Sequence, residues 1–109
     1  MKSERTKGFN ELFADAVDEG LSVLGENARY AIYFHIEQKY GIRREDIPRR
    51  IEAFHEALTG LLAAGAPIIE NLIEKALYGS LALKSESEEN STLVDHARYV
   101  KATVTAKRV

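Results

Sequence analysis

Five cations fall within twelve residues of this chain: Lys39, Arg43, Arg44, Arg49 and Arg50, offset by Glu45 and Asp46. They occupy the elbow between two helical patterns. A helix, tight turn, helix segment can bind DNA by laying its second helix in the major groove, with that helix's first residues near the base edges. Arg49 and Arg50 stand at that position. Three features oppose this use. A DNA-reading turn is typically three or four residues, and this one is longer. Glu45 and Asp46 would meet the phosphates. The next exposed positions of the second helix, Glu52 and Glu56, would repel the backbone. A solvated loop with ion-pair and helix-dipole roles is the competing reading.

Other side chains with chemical potential are sparser. His35 and His55 lie on or beside the apolar faces of consecutive helices, within reach of each other and of Glu37 or Glu56. No histidine pair has the one-turn spacing of a helical zinc motif, so hydrogen-bonded, partly buried imidazoles are expected and no metal is. His96 has no partner in sequence. Tyr30, Tyr33, Tyr40 and Tyr78 could line a ligand pocket, but core packing with hydroxyls reaching the surface explains them equally well. The chain has no glycine-rich phosphate loop, nucleophile elbow or paired carboxylates between apolar walls. The expectation is a non-enzymatic protein without cofactor.

The elements that position these residues follow from apolar period and punctuation. A first helix is expected from about Asn10, its N-cap, to Leu24, with Phe9, Leu12, Phe13, Ala16, Val17, Gly20, Leu21 and Leu24 as one stripe. Gly25 is placed to stop it. The second runs from about Glu26 to Tyr40, with Ala28, Ala31, Ile32, His35 and Ile36 on one face and Tyr30, Tyr33 and Phe34 widening it. Gly41 ends this helix in a left-handed conformation. Pro48 suits the first turn of a third helix carrying Ile51, Phe54, Leu58, Leu61 and Leu62. Gly60 weakens that helix and is expected to end it nearby. A fourth begins at Gly65-Ala66-Pro67, with Ile68, Ile69, Leu72, Ile73, Ala76 and Leu77 inward, and with Glu70 and Glu74 serving the helix dipole.

Lys84 to Ser91 contains no apolar residue and reads as a linker. Beyond it two periods compete. Leu93, Val94, Ala97, Val100 and Ala102 suit a short helix capped by Ser91 or Thr92, whereas Val100, Ala102, Val104 and Ala106 alternate like a strand. A short helix fraying into an extended basic end is favoured. The fold class is therefore all-α: a small four-helix bundle over residues 9–83, a disordered N-terminus at 1–8, and a polar linker and loosely attached basic tail at 84–109.

With 109 residues, the chain is long enough for one domain and one core. Its net charge of −2 makes any attraction to nucleic acid local rather than global. Zero cysteines exclude a disulfide framework and thiolate metal sites. There is no apolar run of bilayer length before a breaker, so a cytoplasmic protein with no membrane partner is expected. The second helix carries more apolar surface than three short neighbours can cover, and the doublets Leu61-Leu62 and Ile68-Ile69 point in two directions. Large exposed patches are unusual on monomers. A homodimer is expected, through Tyr30, Tyr33, Phe34, Ile69 and Ile73 of the second and fourth helices.

Leu24-Gly25, Ala31-Ile32-Tyr33-Phe34-His35-Ile36-Glu37, Tyr40-Gly41-Ile42, Ile47-Pro48 and the Gly65-Ala66 step before Ile69 together resemble a family of small archaeal domains, the Nitrosopumilus output domains. The resemblance spans roughly residues 18–81 and includes no catalytic signature. It implies an archaeal, intracellular helical module acting as a signalling output, and leaves the protein partner unidentified. Two function classes follow. One is an interaction or signalling-output module docked through helix faces. The other is a nucleic-acid-binding protein using elbow 39–50 together with Lys101, Lys107 and Arg108.

Overall fold

The computed structural model describes residues 8–80 and 92–107. They form five α-helices and no strand: α1 (Phe9–Ser22), α2 (Glu26–Tyr40), α3 (Ile51–Leu62), α4 (Ala66–Ser80) and α5 (Leu93–Lys107). A 3-10 turn, Arg44–Arg49, precedes α3, and another, Ala63–Gly65, joins α3 to α4. The linker expected at 84–91 lies outside the described residues.

The central element is α1. Phe9, Leu12, Phe13, Ala16, Val17, Gly20 and Leu21 are buried along it, three or four residues apart, so they share one side of the helix. That side meets α4 most extensively, and also α2, α5 and the elbow turn. The helix begins one residue before the expected Asn10, and Gly8 is its N-cap. Asn10 lies exposed within the first turn.

Where α1 crosses α4 the approach is close enough to need glycine. A Cβ built on Gly20 would lie 2.6 Å from Cγ1 of Ile73 and 3.1 Å from its backbone nitrogen. Ile73 is fully buried, so its side chain has little room to give. A second close approach explains Gly60. A Cβ there would collide with the hydroxyl of Tyr40, so the glycine admits α2 against α3. The helix ends near Gly60, as expected, but not at it: α3 continues to Leu62, and the break comes at Ala63, whose φ is 49°.

Gly41 does adopt the left-handed conformation (φ 69°), and its N–H donates to the Glu37 carbonyl at 3.0 Å. From there the chain turns through Ile42 into the elbow. Pro48 sits inside the 3-10 turn rather than in α3. Its fixed φ suits that tighter geometry, and its ring is buried beside Ile47. Arg50, at φ −132° and ψ 51°, then redirects the backbone into α3.

The tail is where the sequence expectation fails most clearly. Residues 93–107 form a four-turn helix docked on α1, α3 and α4. Leu93, Ala97, Val100 and Val104 are all buried. They are spaced four, three and four residues apart, which only a helix brings to one side. Complete burial of a leucine or valine contributes about 1.5–3 kcal/mol each, which outweighs the weak helix propensity of Val and Thr. Thr92 and Asp95 start the helix as a reciprocal pair. The Thr92 N–H donates to Asp95 Oδ2 at 3.1 Å, and the Asp95 N–H donates to Thr92 Oγ1 at 3.3 Å. The fold is thus five-helical, and α5 belongs to the core.

An 18-residue window within Ile51–Gly79 reaches a mean hydropathy of 1.2, but the break at Ala63 divides the stretch into helices of 12 and 15 residues. Each alone is short of the roughly 20 residues that cross a bilayer.

Alanine in place of Gly20 tests the α1–α4 approach. The substitution favours the helix by up to about 1 kcal/mol, while overpacking against Ile73 costs about 1–3 kcal/mol. The Gly20→Ala protein is expected to melt several degrees below the wild type in thermal denaturation. A rise in Tm would show that the helices are not in backbone contact there.

Candidate functional site

One carboxylate fixes the elbow. Asp18, on the margin of the α1 stripe, accepts hydrogen bonds from the Tyr33 hydroxyl, from Arg29 Nη1 at 3.4 Å, and from Arg44 through Nε at 3.1 Å and through Nη2. Arg29 also donates to Glu26 at 3.0 Å. Burial would push the Asp18 carboxyl up, but hydrogen bonds from Arg44 and Tyr33 and the charges of Arg44 and Arg29 outweigh it. The group is held below the usual carboxylate range. Burial and then the bound carboxylate push the Tyr33 phenol well above its ordinary value. The same carboxylate raises the Arg44 guanidinium.

The remaining elbow cations are engaged locally. Arg43 meets Glu45 at 3.6 Å and Arg49 meets Asp46 at 3.4 Å. The two acidic residues expected to confront phosphates therefore face arginines of the same turn. Arg50 Nη1 donates to the Gly41 carbonyl at 3.1 Å, closing the elbow across its base. Lys39 lies 5.8 Å from the centre of the Tyr40 ring. Arg44 is thus a structural residue tied to α1. Arg43, Arg49 and Arg50 remain at the surface.

The proposed dimer residues separate into two groups. Ile69 and Ile73 are buried in the core against α1 and cannot contact another chain. Adjacent residues on a helix lie about 100° apart, so only one of the Ile68-Ile69 doublet faces outward, and that is Ile68. Tyr33 packs on the core and binds Asp18, so it too is withdrawn from the expected contact. Tyr30 and Phe34 are exposed, at 62% and 59%. The buried side of α2 is instead Arg29, Ile32, Tyr33, Ile36 and Tyr40. Its opposite side presents Asn27, Tyr30, Ala31, Phe34 and Gln38, all exposed.

The histidines fall into places the sequence does not signal. His35 is exposed and lies edge-on to Phe34, away from His55. His55 Nδ1 is 2.5 Å from Glu70 Oε2. His96 is buried between Tyr78, whose hydroxyl is 2.8 Å from Nδ1, and Glu74, whose Oε1 is 3.6 Å from Nε2. Glu70 and Glu74 thus face the protein interior rather than serving the α4 dipole. Burial pushes both carboxyls up. For Glu70 the neighbouring His55 partly offsets this. For Glu74 His96 offsets it and the Glu70 charge adds to it. Among the described residues no three His, Cys, Asp or Glu side chains converge on a point where a metal ion could sit.

The docking of α5 creates a feature that the elbow alone does not have. Pro48, Ile51 and Ala53 on one side and Val94 and Ala97 on the other wall an open cleft of about 530 Å³. Arg49, Arg50, Glu52, Arg98 and Lys101 form its rim. Arg98 Nη2 reaches Glu52 at 3.1 Å across the opening. Lys101 therefore joins the elbow cations in space. Lys107 carries no described side chain, and Arg108 lies outside the described residues. No protein-family model matches the chain, and neither does any curated protein or solved structure.

Two measurements probe these charges. Asparagine at Asp18 keeps an acceptor but removes the charge that holds Tyr33, Arg29 and Arg44. A loss of about 1–2 kcal/mol is expected at neutral pH. The folded-state pKa of Asp18 is depressed below its ordinary 3.8, so its stabilisation is present above that value and is lost as pH falls. Wild type and Asp18→Asn should therefore converge in acid; a gap independent of pH would refute the assignment. Glu70 and Glu74 carry the opposite sign. Their folded pKa values lie above the ordinary 4.5, so the folded state holds the extra protons and stability declines as pH rises through them. Denaturant titrations of Glu70→Gln/Glu74→Gln should lack that decline. An unchanged slope would show that neither group is protonated preferentially in the fold.

Proposed function

We propose that the chain is a non-enzymatic helical interaction module of the signalling-output kind, and that it pairs with a second copy of itself through the outward side of α2. The observation that carries this is the composition of that side. Asn27, Tyr30, Ala31, Phe34 and Gln38 include two exposed aromatic rings and no charged group. Aromatic enrichment and depletion of charge mark the cores of protein interfaces. The arrangement is also self-complementary. A two-fold axis near residue 32 would run the two helices antiparallel and set Tyr30 of each copy beside Phe34 of the other. Asn27 would then stand opposite Glu37 of the other copy. Isologous pairing of this kind sets the same patch of each copy against the other. The resemblance of residues 18–81 to archaeal output domains supports the same class.

The second reading, nucleic-acid binding, draws on Arg49, Arg50, Arg98 and Lys101 around one opening. It is opposed by Glu52 and Glu56 on the solvent side of α3. Phosphate contacts release counterions, so such binding would weaken steeply with salt. Titration against mixed-sequence DNA at two salt concentrations separates the readings. The variant to use is Arg43→Gln/Arg49→Gln/Arg50→Gln, since Arg44 is needed by the fold.

One helix side buries less than a standard interface, so self-association is expected to be weak, with Kd on the order of 10 μM. Sedimentation equilibrium over a concentration series should show dimer forming through that range. Tyr30→Ser/Phe34→Ser should keep the wild-type Tm, because both rings are exposed, and should stay monomeric. A wild type that is monomeric at ten times that concentration overturns the proposal.

A further inference from the structure

We infer that the cleft between the elbow and α5 is a binding site for an amphipathic organic anion, a phosphate or carboxylate carried on an apolar body. This is independent of the α2 surface and does not require a dimer. Its volume of about 530 Å³ falls within the range of small-molecule sites, about 300–1,000 Å³. Its walls are apolar and come from two separate segments of the chain, Pro48–Ala53 and Val94–Ala97. Its rim sets four cations against one carboxylate, in a protein whose net charge is −2.

The cations are not spent on one another's partners. Glu52 is occupied by Arg98. Arg49 gives one hydrogen bond to Asp46, and Arg50 one to the Gly41 carbonyl. A guanidinium has five N–H donors in a planar fork, so both retain donors for a planar or tetrahedral oxyanion. Lys101 Nζ stands 6.0 Å from the Phe9 ring, and that contact leaves its three N–H donors unused. The first turn of α3, which forms part of the wall, adds the positive end of a helix dipole.

The apolar walls decide the class of anion. A bare phosphate or a nucleic-acid backbone would use the rim and leave the half-exposed Ile51, Ala53 and Val94 in water. A neutral apolar ligand would cover the walls and leave Arg50 and Lys101 without an anion, since Arg98 and Arg49 already face Glu52 and Asp46. A ligand with both parts satisfies the whole cleft. The same chemistry is offered by a soluble metabolite and by the headgroup of an acidic lipid.

Calorimetric titration of the full chain with octyl phosphate below its micelle concentration, with inorganic phosphate and with octanol tests this. Octyl phosphate is expected to bind at least ten-fold more tightly than either fragment. Amide chemical-shift changes should centre on residues 48–53 and 94–101. Arg50→Gln/Lys101→Gln should weaken binding ten-fold or more, and Lys101→Gln alone, whose ammonium holds no hydrogen bond among the described residues, should weaken it at unchanged Tm. Ala53→Leu, which fills a wall, should weaken octyl phosphate without changing inorganic phosphate. Co-sedimentation with phosphatidic acid vesicles that is lost in Arg50→Gln/Lys101→Gln would assign a lipid source, and its absence a soluble one. The inference is overturned if octyl phosphate binds no better than its fragments, if the shift changes lie elsewhere, or if mixed-sequence DNA binds more tightly and displaces it.

Discussion

Backbone proximity between α1 and α4 sets the geometry of the whole bundle. At Gly20 the two helices come so close that Ile73 fills the place a Cβ would take. With α4 held there, Phe13, Val17 and Leu21 close the core from one side and Leu77 from the other. Asp18, two residues before Gly20, then faces α2 and the elbow and fixes both. The position of the basic loop is therefore a consequence of α1 packing. A solvated loop would owe its conformation to its own turn residues, whereas this one is held at Arg44 by a helix 26 residues earlier.

Polar groups do the corresponding work on the other side. His55, Glu70, Glu74, His96 and Tyr78 link α3, α4 and α5 where apolar side chains would pack with less directional preference. Burying carboxylates is unfavourable unless they are partnered; Glu70 meets His55 at 2.5 Å, and Glu74 lies 3.6 Å from His96. What such pairs contribute is the choice of one register for α5 over its neighbours.

The sequence made much of this legible, and the failures have physical causes. The stripes of α1 and α4 and the left-handed Gly41 follow from period and punctuation, which are local properties. The tail was harder because Val100 and Val104 satisfy both a strand alternation and a one-turn helical spacing. Only Leu93 and Ala97, on the far side of an ambiguous boundary, separate the two. Tyr30 and Phe34 were correctly seen as apolar surplus, but Tyr33 between them was not separable by type, since its burial depends on Asp18 fifteen residues away. Ile69 and Ile73, expected both inward and at a dimer contact, serve the core alone, and Ile68, also expected inward, is the outward one, because composition cannot say which of two adjacent isoleucines faces the interior. For His96 no sequence signal exists. Its partners, Glu74 and Tyr78, are one turn apart on α4, but nothing in that spacing marks them as facing a histidine across a linker.

The assignment of one wall of the cleft to α5 has a temporal consequence. A chain is made from its N-terminus onward, and its early helices can pack before the later ones exist. Until residues 93–107 emerge, the elbow is a surface with a basic edge and nothing opposite Ile51 and Ala53. The concavity is completed only when Leu93, Val100 and Val104 dock. The cleft therefore exists only after α5, made later than α1 to α4, has docked to supply its second wall.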